Sequence, residues 1–149
     1  MAIYKLFPYK DTSLYSMYPS MNTGIDPINQ ISNLNFAVDS SPSVARTLIA
    51  FDNNEIQDVL NTKVTGTWDA NLKSFIATAQ GIVEDSILEI FPVYDSWNQG
   101  TGTYLDQPIT ADGAAWNSPT LGGGSPWNIG GPSLGYTSSY NPTYSPAGG

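Results

Sequence analysis

Three acids follow one another through the second half of the chain, Asp95, Asp106 and Asp112, and three aromatics are interleaved with them, Trp97, Tyr104 and Trp116. Two carboxylates facing across a cleft of about 5 to 9.5 Å would equip a glycosidase. Three hard oxygen donors would suit calcium, but their spacing matches no compact loop of the EF-hand kind. Solvated loop acids are the plainer account, and catalysis ranks last. The aromatics suit another task. A pyranose face stacks on aromatic rings, so Trp97, Tyr104 and Trp116 form the candidate ligand-binding platform. Against that, Trp97 and Trp116 stand at strand-end turns, where large aromatics usually close a core, and this structural reading is the stronger.

The chain has no His and no Cys. That removes imidazole bases, His-dependent triads, most transition-metal sites and any disulfide or zinc-thiolate framework, and it suits assembly in a reducing cytoplasm. Ser and Thr nucleophiles have no base to call on except Lys or carboxylates. No Gly-rich phosphate loop follows a strand and opens a helix. No cofactor and no metal are therefore expected, and the chain reads as a non-enzyme. A net charge of −8 with five basic residues provides no cationic footprint for nucleic acid and is repelled by an anionic membrane. No signal peptide and no transmembrane run are apparent.

At 149 residues the chain is one domain by size. Only 12% of it is charged, about half of ordinary usage, while Gly, Pro, Tyr, Ser, Thr and Asn abound. Surfaces of that kind stay in contact with protein or sugar. Many turns in an all-β protein would raise Gly, Pro, Asn and Ser as well.

These groups need elements to position them. The organising strand is expected at Ile87-Leu-Glu-Ile-Phe-Pro-Val-Tyr94, apolar on both alternating faces and hence covered on both sides, with Pro92 at a bulge or ladder end. Residues 72–83 should pair with it as a hairpin turned by Glu84-Asp85. Further strands are expected at Ile3 to Phe7, Thr12 to Tyr15, Leu34 to Val38 and Val44 to Phe51. A short helix from Glu55 to Leu60, capped by Asn53 or Asn54, reads as a plug over one end of the core. Residues 18–43 are a long connection of the kind that usually binds something.

From Gly113 onward no residue is charged and Gly alternates with Pro. Alone, this segment cannot bury enough to offset its ordering entropy. Its aromatics Trp127, Tyr136, Tyr140 and Tyr144 are therefore expected against the sandwich or against neighbouring subunits.

Arg46-Thr-Leu-Ile-Ala-Phe-Asp52, then Leu88-Glu-Ile-Phe-Pro-Val and Trp97-Asn-Gln-Gly-Thr101, then Gly113-Ala-Ala-Trp116 stand in an order that resembles the DNRLRE domain, a jelly-roll β-sandwich related to carbohydrate-binding modules and found in bacterial surface proteins. The opening Met1-Ala-Ile-Tyr-Lys-Leu-Phe-Pro8, with Asp11-Thr-Ser-Leu-Tyr-Ser16 and Met21-Asn-Thr-Gly24, looks more closely like DNRLRE-type virion structural proteins of contractile-tailed cyanophages. The resemblance covers residues 1 to about 117 and departs after Pro119, where family members continue into further strands. Either the polypeptide continues or a neighbouring chain lends strands.

The resemblance implies an all-β, jelly-roll-like sandwich over residues 1–117, possessing one short helix, followed by an extended Gly/Pro/Tyr-rich arm over 118–149. Arg46 would be a structural residue, ion-paired with Asp52 or Asp95 and flanked by Phe51. The implied role is a virion structural protein of the tail, neck, fibre or capsid surface, assembled in the host cytoplasm. Its partners would be other virion proteins, in a homo-oligomer or symmetric array. The alternative is a carbohydrate-binding module that attaches to a host surface glycan.

Overall fold

The computed structural model describes residues 3–35, 42–79, 88–93, 95–105, 112–122 and 125–127. The chain divides into two compact units, Met1–Tyr9 with Ala50–Leu88, and Lys10–Ile49 with Glu89–Gly149.

The second unit carries a sheet of three strands, β1 (Lys10–Tyr15), β2 (Ser32–Asn35) and β3 (Pro42–Ala50), in the order β1-β3-β2. β2 and β3 are antiparallel, from Ser32 opposite Ala45 to Asn35 opposite Pro42. Pro42 stands at the end of the ladder, where its missing N–H costs no hydrogen bond. β3 is the central strand because its β-branched and aliphatic run, Val44 to Ile49, suits a pleated surface covered on both sides. It buries Ala45 and Leu48, and residues three apart on a strand lie on opposite faces. Ala45 packs with Tyr15 and Met21. β1 is buried from Thr12 through Tyr15, so it too is covered on both faces.

Three strand expectations are overturned among the described residues. Leu88–Val93 is not a strand, and Leu88 and Ile90 are 58% and 68% exposed. β3 takes the central place assigned to that run, whose Ile87 and Tyr94 lie outside the described residues. Alternation alone does not make a strand, and Pro92 has no N–H to give a ladder. Residues 72–79 form no hairpin strand and every one of them is exposed. The N-terminal run Ile3 to Phe7 is likewise irregular, with Ile3 and Phe7 exposed. β1, β2 and β3 answer to the expectations at Thr12 to Tyr15, Leu34 to Val38 and Val44 to Phe51, although 36–38 lie outside the described residues.

In the first unit the period changes as expected, and a helix, α1, spans Asn53–Asp58. Its cap is Asp52, one residue before the expected Asn53, and Asp52 Oδ1 accepts from Asn54 N–H at 2.8 Å. Glu55 lies in the first turn, favourable to the helix dipole. The chain continues into a π-helical turn over Val59–Lys63, where the Thr62 hydroxyl donates back to Asp58 O at 2.7 Å. Neither helical piece buries a residue, so α1 does not act as a plug over a core. No described residue of this unit is buried. The molecule is thus β-rich with one short helix, and much of it is irregular.

Candidate functional site

Two tight turns follow β1, with Tyr18 N–H donating to Tyr15 O at 3.1 Å and Met21 N–H to Tyr18 O at 2.9 Å. They bring Met21-Asn-Thr-Gly24 back beside the strand. Thr23 Oγ1 accepts from Ser13 N–H at 3.1 Å and donates to Ser13 O at 2.8 Å, so a side chain completes the ladder that a neighbouring strand would otherwise supply. Thr12, Ser13, Asn22 and Thr23 are all fully buried, which makes this interior polar as much as apolar.

Asn22 is the hub. Its Nδ2 donates to Gln99 O at 2.7 Å and to Ala114 O at 2.8 Å, and its Oδ1 accepts from Gly24 N–H at 3.1 Å and Gly102 N–H at 2.9 Å. Both donors and two acceptor sites of the amide are therefore used. Four glycines surround it because nothing larger fits. A Cβ on Gly100 or Gly113 would collide with the Asn22 amide, one on Gly102 with Asn22 O, and one on Gly24 with Gln99 O. Gly100 and Gly113 also have φ of +79° and +72°, a region open chiefly to glycine.

The loops threaded through this hub are tied together elsewhere. Ala114 N–H donates to Asn98 O at 2.7 Å, Asn98 N–H to Pro119 O at 3.2 Å and Leu121 N–H to Gly113 O at 2.6 Å. Asp112 receives both Thr101 N–H, at 3.0 Å, and Thr101 Oγ1–H, at 2.9 Å. Asp26 accepts from Tyr104 N–H at 3.2 Å. Leu105 follows with φ of +55°, rare for a branched side chain, and its N–H points at Met21 Sδ.

The three platform aromatics do not form one surface. Trp97 is 5% exposed and lies under Lys10, whose Nζ is 4.3 Å from the ring centroid and donates to Trp97 O. Trp116 is half-buried beneath the Arg46 guanidinium, 5.0 Å away. Tyr104 is exposed, and it meets Tyr15 at 5.0 Å and Tyr18 edge-on at 5.9 Å. Its phenol is held above the ordinary tyrosine value, by burial first and then by Tyr18. The Tyr15 phenol is raised as well, with burial the main cause, a hydrogen bond to Ser13 opposing it, and Asp26 and Tyr104 adding to it.

Arg46 does not make the expected carboxylate pair. Its Nη1 is buried without a hydrogen-bond partner, and burial pushes the guanidinium below its usual value. The Trp116 ring face takes the place of a counter-ion, a cation–π contact worth roughly 0.5–2 kcal/mol. Asp52 serves α1 instead, and Phe51 beside it is half-buried. Trp127 is buried, and its Nε1–H donates to Ala115 O at 2.9 Å, so this side chain docks on its own chain. Tyr136, Tyr140 and Tyr144 lie outside the described residues.

Of the acids, Asp112 is committed to Thr101, Asp95 is half-buried, and Asp106 lies outside the described residues. Among the described residues no three acids gather as a metal site. Sequence reasoning quoted the segments around Asn22, Gln99 and Gly113 but missed that one asparagine joins them. The signal was there in three short glycine-bearing pieces.

The comparisons add no relative: no family model matches the chain, and no curated protein or solved structure matches it either.

Proposed function

We propose that this chain is a non-enzymatic structural subunit of a phage virion, a tail, neck, fibre or capsid-decoration component that packs against other virion proteins. The observation that carries the reading is the apolar surface left in water. Ile3, Phe7, Phe75 and Ile76 are each at least 74% exposed, and Trp68, Leu88 and Ile90 each more than half. Scattered apolar residues are ordinary on a surface, but a unit that buries none of its described residues and exposes Ile3, Phe7, Trp68, Phe75, Ile76 and Leu88 needs cover from outside. The ordered set of DNRLRE-like segments supports the same reading, with a jelly-roll-like sandwich completed in the particle by strands from neighbours. Quantitative peptide counting on purified particles tests it. The expected result is the chain at a fixed ratio to the major capsid protein; a freely secreted monomer missing from particles rules the reading out.

A second reading, attachment to a host glycan, now rests on Tyr104 and Tyr18. Theirs are the exposed paired rings, whereas the ring faces of Trp97 and Trp116 are taken by Lys10 and Arg46. It predicts glycan-array binding that Tyr104→Ala abolishes, and unchanged binding in that variant rejects it.

A further inference from the structure

A half-buried cation in an acidic chain ordinarily sits against a carboxylate, because a charge taken out of water loses hydration that only a counter-charge offsets. Among the described residues Arg46 has no such partner. Its Nη1 is the one side-chain nitrogen or oxygen there that is sealed from water without a hydrogen bond, and the Trp116 ring, 5.0 Å from the guanidinium carbon, is what the group rests on. Nearby acids are spoken for. Asp11 Oδ2 accepts from Asn29 at 2.8 Å, Asp26 accepts from Tyr104 N–H, and Asp112 accepts from Thr101.

The guanidinium has two edges, and they differ. Nη1 is shut in, whereas the edge formed by Nε–H and Nη2–H makes no hydrogen bond in the described fold and keeps access to water. Those two parallel N–H groups match the spacing of the two oxygens of a carboxylate. Arg46 stands on the central strand β3 and is held by a ring face, so it has less rotamer freedom to lose on binding than a free surface arginine. Charge narrows the ligand further. The unit that carries Arg46 has seven acids against two cations, Lys10 and Arg46, a net charge of −5, and Lys10 is engaged at Trp97. In that field one guanidinium neutralises a singly charged anion, while a phosphate dianion or sulfate keeps a surplus charge that is repelled.

We propose that the Nε and Nη2 edge of Arg46, held over Trp116, is a binding site for a carboxylate brought by a second molecule. A free carboxylic acid and an Asp or Glu side chain of a neighbouring protein offer the same two oxygens. The site goes beyond the assembly reading and belongs to the isolated chain.

The test follows the Arg46 Nε–H resonance of the full chain, assigned by its loss in Arg46→Lys, through titrations with sodium acetate and with sodium chloride at matched ionic strength. Acetate should move it downfield and saturate, the Trp116 indole N–H should shift in step, and chloride should do neither. N-acetyl-aspartyl methylamide then separates the sources: tighter binding than acetate assigns the carboxylate to a protein side chain, and equal or weaker binding to a free acid. In Arg46→Lys, which keeps the charge and loses the fork, Trp116 should no longer respond to acetate; should that variant not fold, the parent resonance decides alone. An Nε–H that acetate leaves unmoved, or that chloride moves equally, an adventitious ion only, overturns the proposal. So does an Nε–H that is downfield and slow to exchange before any acetate is added, because the edge would then be taken within the chain. Presence in particles or absence from them bears on the virion role alone.

Discussion

At the scale of single residues, Asn22 decides most. Its amide satisfies two carbonyls and two N–H groups that come from loops up to 92 residues away, inside a cage of glycines that leaves no room for an added Cβ. Asn22→Asp keeps the shape and inverts the chemistry, placing an oxygen against Gln99 O and Ala114 O. Unpaired buried groups cost about 1–3 kcal/mol each, so a loss of more than about 3 kcal/mol is expected, read as a lowered urea midpoint. Tyr15 gives a pH signature. The unfolded phenol releases its proton near pH 10, and the folded one holds it longer. The folded state therefore binds more protons in that range, and its stability is intact below pH 10 and declines as the pH rises through the raised folded value. Tyr15→Phe should flatten that alkaline decline in denaturant titrations.

At the scale of elements, what could be read from the sequence was what local pattern encodes. β1 and β3 follow from short alternating runs rich in β-branched and apolar residues, and α1 from the change of period and an acid-bearing first turn. Residues 88–93 have the same alternation as β3 but form no strand, because alternation does not by itself decide pairing. A single hydroxyl beside Ser13 finishes the β1 edge, and nothing in the sequence near Thr23 marks it for that contact. Thr23→Val, nearly isosteric, leaves Ser13 N–H and O without a partner and should cost about 2–4 kcal/mol, whereas Thr23→Ser should retain most of it. Hydrogen exchange at the Ser13 amide separates the two, fast in the valine variant and slow in the serine one. The aromatic platform was illegible for a related reason. Spacing put Trp97, Tyr104 and Trp116 together, but distant cations, Lys10 in β1, 87 residues before Trp97, and Arg46 in β3, claim the two tryptophan faces.

At the scale of the whole molecule, a polar, side-chain-stitched unit is joined in sequence to one that buries none of its described residues. The first explains how a charge-poor chain without disulfides holds loops in place. The second is what the proposed assembly role draws on, since Trp68, Leu72, Phe75 and Ile76 would gain by leaving water at roughly 25 cal/mol per Å2 of apolar surface covered. The most direct test compares amide hydrogen exchange over residues 64–79 in the isolated chain and in purified particles. The account predicts fast exchange in the isolated chain at low concentration and strong protection in the particle. Equally fast exchange in both would contradict it, because the exposed segment would then have no cover where the protein works.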